Sequence, residues 1–137
     1  MIIRRIWAIL IAALLLATPL AGFAQDNVQI TTTIKQSNTA AIPVVVPAGS
    51  QFVINLPSNQ TTGYKWTMAG KGNARVVQMV SNVYNEPSNP MPGKGGSESW
   101  TFKAVAKGKV TFVLNYARPW EKNVRPAKSQ TFNITVQ

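Results

Sequence analysis

WTFKAVAKGKVTFVLNY, from Trp100 to Tyr116, is the stretch that decides the fold. Trp100, Phe102, Ala104 and Ala106 take every second position before Lys107-Gly108, and Val110, Phe112, Leu114 and Tyr116 do the same after it. A period of two sends alternate side chains to opposite faces of a strand, so each half buries one face and wets the other. Lys107-Gly108 then reads as the tight turn between them.

The alternation continues in both directions. Upstream, Phe52, Ile54 and Leu56 form one set, and Tyr64, Trp66 and Met68 form another opposite Lys65 and Thr67. Downstream, Phe132, Ile134 and Val136 alternate with Thr131, Asn133 and Thr135. Arg75–Tyr84 is a further, less regular strand. Val28–Ile34 and Ile42–Val46 supply the N-terminal strands, with Pro43 and Pro47 suited to an edge or a strand end. Beyond residue 24 no stretch has a helical period. The prediction is an all-β, immunoglobulin-like two-sheet antiparallel sandwich of seven or eight strands, with Trp66 and Trp100 in the core.

The first 24 residues read as an address rather than as structure. Arg4 and Arg5 precede the apolar run Ile6–Leu16, Pro19 breaks it, and Gly22-Phe23-Ala24 offers small residues at a cleavage site. A retained membrane anchor is the rival reading, since Ile6–Ala24 carries no charge over 19 residues and a spanning helix takes about 20. The proline and the small-residue site favour a cleaved leader. The expectation is a leader at 1–24, one domain at 25–137, and export to a periplasm or medium. No stable membrane association is expected once the leader is removed.

The chain has no histidine and no cysteine, and its acids are Asp26, Glu86, Glu98 and Glu121. General acid–base catalysis wants histidine or a carboxylate pair, and metal sites want clustered His, Cys or carboxylates. A Ser97–Lys94 nucleophile is disfavoured by its flexible surroundings, and no phosphate loop is present. This inventory points to a binder, not an enzyme, with no metal and no cofactor. Removing Arg4 and Arg5 from the 14 Lys/Arg leaves 12 against 4 acids, a net charge of +8. The cations are dispersed from Lys35 to Lys128 without a run, so no nucleic-acid partner is expected; their field would attract an acidic one.

If each strand crosses the sandwich once, the links at 57–63, 85–97 and 117–129 emerge at one end and the tight turns at the other. Loops longer than a connection requires tend to carry function. The first holds Asn59-Gln60-Thr61-Thr62-Gly63-Tyr64, with two β-branched threonines side by side. The second holds Pro92-Gly93-Lys94-Gly95-Gly96. The third opens on Arg118-Pro119-Trp120, which joins a stiff backbone to two side chains enriched at interface hot spots. Taken singly, each has an ordinary structural reading: a polar turn, a flexible hairpin tip, a tryptophan capping the core.

In order and spacing, over about 65 residues, these three segments resemble the signature loops of the chagasin family, inhibitors of papain-like cysteine peptidases. The resemblance implies an immunoglobulin-like fold and a monomeric inhibitor whose partner is a papain-like (cathepsin L-type) cysteine peptidase. It places Asn59, Gln60, Thr61, Thr62, Gly63 and Tyr64 over the catalytic cysteine and histidine of that partner. It sets Pro92, Gly93, Lys94, Gly95 and Gly96 along the non-primed side, largely by backbone contacts, and Arg118, Pro119 and Trp120 on the primed side. One departure stands out: the family's first loop commonly has proline where this chain has Gln60, which leaves the tip without a fixed φ.

Asn59-Gln60-Thr61 is also an N-x-T sequon, as is Asn133-Ile134-Thr135. A glycan on Asn59 would obstruct the tip, so the reading expects a source without sequon glycosylation on its export route, hence a bacterial one. Two alternatives remain from the residues alone. One is an exported carbohydrate- or surface-binding module with Trp120 and Tyr84 as stacking platforms. The other is an adhesion domain that uses the Val28–Ile34 edge.

Overall fold

A computed structural model describes residues 27–31, 40–70 and 72–137, the first span by its backbone alone. The leader at 1–24, the extension of the first strand through 32–34, and Lys71 of the expected Gly70–Gly72 turn lie outside the described residues.

The chain forms β1 (Asn27–Thr31), β2 (Ile42–Val46), β3 (Gln51–Ser58), a 3-10 turn (Gln60–Thr62), β4 (Lys65–Ala69), β5 (Val77–Asn85), β6 (Gly96–Ala104), β7 (Gly108–Ala117) and β8 (Lys128–Val136). They make two four-stranded sheets, ordered β1-β3-β6-β5 and β2-β8-β7-β4. The pairs inside the sheets that join β3 to β8 are antiparallel. The two N-terminal strands differ from the antiparallel expectation: β1 runs parallel to β3, and β2 parallel to β8. The reason lies in the single-crossing rule. β1 and β3 both run toward the end where the long loops gather, and β2 and β8 both run away from it. Pro43 is accommodated because β2 is the edge of its sheet.

The buried phase of each strand is the one its alternation predicts. Phe52, Ile54, Leu56, Trp66, Trp100, Phe102, Phe112, Leu114, Phe132 and Ile134 are all buried. Phe52, Phe102, Phe112 and Phe132 stack in succession at centroid distances of 5.4, 4.9 and 5.5 Å, which carries an aromatic spine from one sheet across to the other. Such contacts add about 0.5–1.5 kcal/mol per pair beyond the area they bury. Ala106 departs from the prediction. β6 ends at Ala104, and the N–H groups of Val105 and Ala106 turn aside to donate to the Val76 carbonyl, at 2.8 and 3.4 Å.

The irregularity of 75–84 also has a cause. Val80 is an extra residue in β5: Met79 lies opposite Phe102 and Ser81 opposite Thr101. A bulge of this kind resets the phase. Val77 and Met79 lie opposite buried Ala104 and Phe102 before it, whereas Asn82 and Tyr84 lie opposite buried Trp100 and Glu98 after it.

Candidate functional site

The three long links meet at one end of the sandwich and are bonded to one another. Asn59 is the hub. Its extended backbone (φ −131°, ψ 97°) leads into the 3-10 turn, and its Oδ1 accepts from the Thr61 N–H at 3.2 Å and the Thr61 hydroxyl at 2.6 Å. Its carbonyl accepts from the Thr62 hydroxyl at 2.7 Å. Both threonine hydroxyls are therefore used inside the loop, which fixes two side chains that are already stiff at χ1. Asn59 also reaches outward: Nδ2 donates to the Gly93 carbonyl at 3.2 Å, and its own N–H donates to the Tyr116 hydroxyl at 2.9 Å.

Gly63 closes the tip in the left-handed region (φ 78°), where its N–H donates to the Gln60 carbonyl at 3.0 Å. A side chain there would also collide with the indole of Trp120. Trp120 thus lies against the first loop yet keeps 66% of its surface exposed, so it does not cap the core. Arg118 braces the same pair of loops. Its Nε donates to the Thr62 carbonyl at 3.1 Å, its guanidinium lies 4.5 Å over the Tyr64 ring, and Nη1 meets Glu121 Oε1 at 3.2 Å. Pro119 occupies the corner of a turn in which the Glu121 N–H donates to the Arg118 carbonyl at 3.1 Å.

The second loop owes its shape to Pro92 and Gly93. Lys94 N–H donates to the Met91 carbonyl at 3.0 Å and Gly93 has φ 78°, the arrangement of a type II turn with proline and glycine at its centre. Gly95 lies against the first loop, where a Cβ would sit 3.0 Å from the Ser58 carbonyl and 3.2 Å from Asn59 Cβ. Gly96 N–H donates to the Tyr84 hydroxyl at 3.1 Å. Tyr84, a stacking platform in the carbohydrate reading, is thereby a prop beneath the second loop.

Below the loops is a buried carboxylate that the loop motifs do not include. Glu98 is 3% exposed. Oε1 accepts from the Ser58 hydroxyl at 2.7 Å and the Trp66 N–H at 3.1 Å, and Oε2 from Asn82 Nδ2 at 3.4 Å. Burial of a charge is tolerated only with such partners. It ties the end of β3, the start of β4 and the bulged half of β5 to one point. Tyr116 stacks on Tyr64 at 5.3 Å and Trp66 at 5.1 Å, which seats the first loop on the core.

All fourteen residues singled out from the loop motifs thus lie at this end, on three loops that contact one another. Gln60, Thr61, Thr62, Pro92, Gly93, Lys94, Gly95, Pro119 and Trp120 are exposed; Asn59, Gly63, Tyr64, Gly96 and Arg118 are half-buried. The supports Ser58, Asn82, Tyr84, Glu98, Tyr116 and Glu121 were missed. Glu98 left a signal, since it occupies the buried phase of Trp100 and Phe102. Asn82 and Tyr84 left none, because Val80 had shifted their phase. Among the described residues no group of three His, Cys, Asp or Glu side chains is arranged to hold a metal.

Residues 45–136 match the family described as Chagasin family peptidase inhibitor I42. This chain belongs to that family. Its family members are peptidase inhibitors, not enzymes. The chain is 35% identical to chagasin of Trypanosoma cruzi over 89 residues, 63% of this chain and 79% of the relative. It is 29% identical to amoebiasin-1 of Entamoeba histolytica over 94 residues, 68% and 86% of the two. The fold is shared with the cysteine protease inhibitor EhICP2 of Entamoeba histolytica at a TM-score of 0.68 and 21% identity, covering 82% and 98% of the two chains. It is also shared with PbICP-C, solved in complex with falcipain-2, at 0.60 and 19% identity, covering 81% and 98%. No helix among the described residues is long and apolar enough to cross a membrane.

Proposed function

We propose that this chagasin-family chain is a reversible competitive inhibitor of papain-like cysteine peptidases, and that it blocks their cleft with the three bonded loops. The observation that carries the proposal is the bonding itself: Asn59 to Gly93 and Arg118 to Thr62 join three sequence-distant loops into one surface. A family neighbour solved on falcipain-2 supports a peptidase of that class as partner. Asn59–Tyr64 takes the central position, Pro92–Gly96 one flank and Arg118–Trp120 the other.

The physics favours inhibition over cleavage. A one-turn 3-10 tip closed by a left-handed glycine is convex, so it fills a cleft built for extended peptide without presenting a carbonyl in the line of nucleophilic attack. Because the loops are bonded before docking, little ordering entropy is lost on association, and preorganisation governs affinity more than area does. Three such loops suffice for an interface of standard size, about 1,600 Å².

Export belongs to the same proposal: residues 1–24 act as a cleaved leader and 25–137 as the mature inhibitor, in a bacterial periplasm or medium. The relatives named above are from eukaryotic parasites, so the bacterial assignment rests on the leader and on Asn59. A glycan on Asn59 Nδ2 would displace its bond to Gly93 and occupy the tip. Intact-mass measurement of native protein should find a chain beginning at Gln25 with Asn59 bare; an occupied Asn59 contradicts the proposal.

The deciding experiment titrates papain, or a cathepsin L-type enzyme, with protein 25–137 against a fluorogenic peptide. Competitive inhibition at nanomolar concentration is expected, weakened at least about 100-fold in Thr61→Ala/Thr62→Ala and in Trp120→Ala, as for hot-spot residues. Folded protein that leaves both enzymes uninhibited at tens of micromolar would overturn the function. Inhibition that survives both variants would overturn the loop assignment.

A further inference from the structure

At the end opposite the inhibitory loops the two sheets do not close on one another. β4 is only five residues long and its last residue, Ala69, pairs with Val113. The first part of β7, 108–112, therefore has no neighbour on that side, and the link through 72–76 passes over the gap. A cavity of about 350 Å³ results, lined chiefly by Met68, Val77, Met79, Phe102, Val110 and Phe112. Gly72, Asn73, Ala74 and Gln78 form its mouth wall, and all four are exposed. This volume is about twice that of an apolar cavity of roughly 150 Å³ that takes up benzene, and within the range of small-molecule sites.

Charge around this cavity is of one sign. Arg75 follows Ala74 of the mouth, Lys103 lies opposite Gln78 in the β5–β6 register, and Lys109 precedes Val110. Lys107 lies in the β6–β7 turn, which is bonded to Val76 through Val105 and Ala106. All four cations are exposed. The acidic side chains among the described residues are elsewhere. Glu98 is held beneath the inhibitory loops, Glu121 is paired with Arg118 in the third loop, and Glu86 follows β5 at the loop end. An apolar cavity surrounded by uncompensated cations suits an amphiphile with an alkyl chain and an anionic head.

We propose that this cavity binds a free medium-chain fatty acid, with the chain between the sheets at Val77, Phe102, Val110 and Phe112 and the carboxylate at the mouth among Arg75, Lys103 and Lys109. The alkyl chain gains by leaving water. The carboxylate gains by position in a positive field, a gain that weakens as salt screens it. The site is independent of the peptidase-binding loops, which are at the other end of the sandwich.

Calorimetric titration of folded 25–137 with decanoate, below its micellar concentration, tests the proposal. The controls are decanol, decyltrimethylammonium and fatty-acid-free phosphatidylglycerol vesicles. Saturable one-to-one binding of decanoate is expected, at least 5-fold tighter than decanol, with no binding of the ammonium. Ala74→Trp, at an exposed mouth position, should weaken decanoate at least 10-fold. Arg75→Ala/Lys109→Ala should bring decanoate down to the affinity of decanol without changing decanol itself. This double variant keeps the test decisive if Ala74→Trp fails to fold. Absence of saturable binding, equal binding of the ammonium, or decanoate affinity unmoved in folded variants would each overturn the proposal. Vesicle binding that matches decanoate would replace the free acid with a lipid surface and overturn it as stated.

Discussion

Gln60 is where this chain departs from the commoner family pattern, and the structure gives the departure a physical meaning. It is the first residue of a 3-10 turn whose cap, Asn59, is already extended at φ −131° and ψ 97°. The residue before a proline favours that conformation, the first turn has no acceptor for the Gln60 N–H, and 3-10 φ values lie near those of proline. Gln60→Pro should therefore be accepted without strain. By narrowing the unfolded ensemble it should stabilise the protein by about 0.4–1 kcal/mol, and inhibition of a papain-like enzyme should tighten several-fold. Thermal unfolding and the inhibition constant of the one variant check both; a lowered midpoint or a weaker constant sinks the rigidity argument. Gly63 allows no comparable freedom, since its left-handed φ and the indole against it both exclude a side chain.

Individual strands position the loops through a single buried group. β6 brings Glu98 beneath the first loop, β3 ends on Ser58, β4 begins beside the Trp66 N–H, and the bulge in β5 turns Asn82 inward to complete the set. Removing the carboxylate strands three donors in a dry site, each costing about 1–3 kcal/mol when left unpaired. Relaxation and water entry recover part of that. Glu98→Ala should lose about 3 kcal/mol in denaturant unfolding, with the midpoint moved and the slope unchanged. A loss below about 1 kcal/mol would mean that the loops do not depend on this group. The same strands show what alternation reveals and what it hides. Phe52 to Leu56, Val110 to Tyr116 and Phe132 to Val136 could be assigned by inspection because one face is dry along their whole length. β5 could not, because the extra residue at Val80 changes the inward phase midway.

For the molecule as a whole, the inhibitory surface is assembled rather than local. The tip Asn59–Tyr64 is held by Tyr116, Gly93 and Arg118, each from a distant part of the chain. Cut out as a peptide, 56–66 would have to order its own backbone at about 1 kcal/mol or more per residue. Its inhibition should be at least roughly 1,000-fold weaker than that of the intact protein. A synthetic 56–66 peptide assayed beside 25–137 tests this; comparable potency would mean the sandwich is not needed to shape the loop.

The sequence alone determined the strand set, the buried phase of most strands, the absence of residues for acid–base catalysis, and the three loop motifs. Those properties are written in period, composition and local spacing, which require no knowledge of what lies across the fold. Tertiary structure alone decided the parallel pairing of β1 and β2, the inward turn of Asn82 after the bulge, and the role of Glu98. It also decided that the threonine hydroxyls and Arg118 brace the loops from within. Each of these depends on a contact between segments far apart in the chain, such as Thr62 with Arg118 or Ser58 with Glu98, and a contact of that kind has no period for a sequence to display.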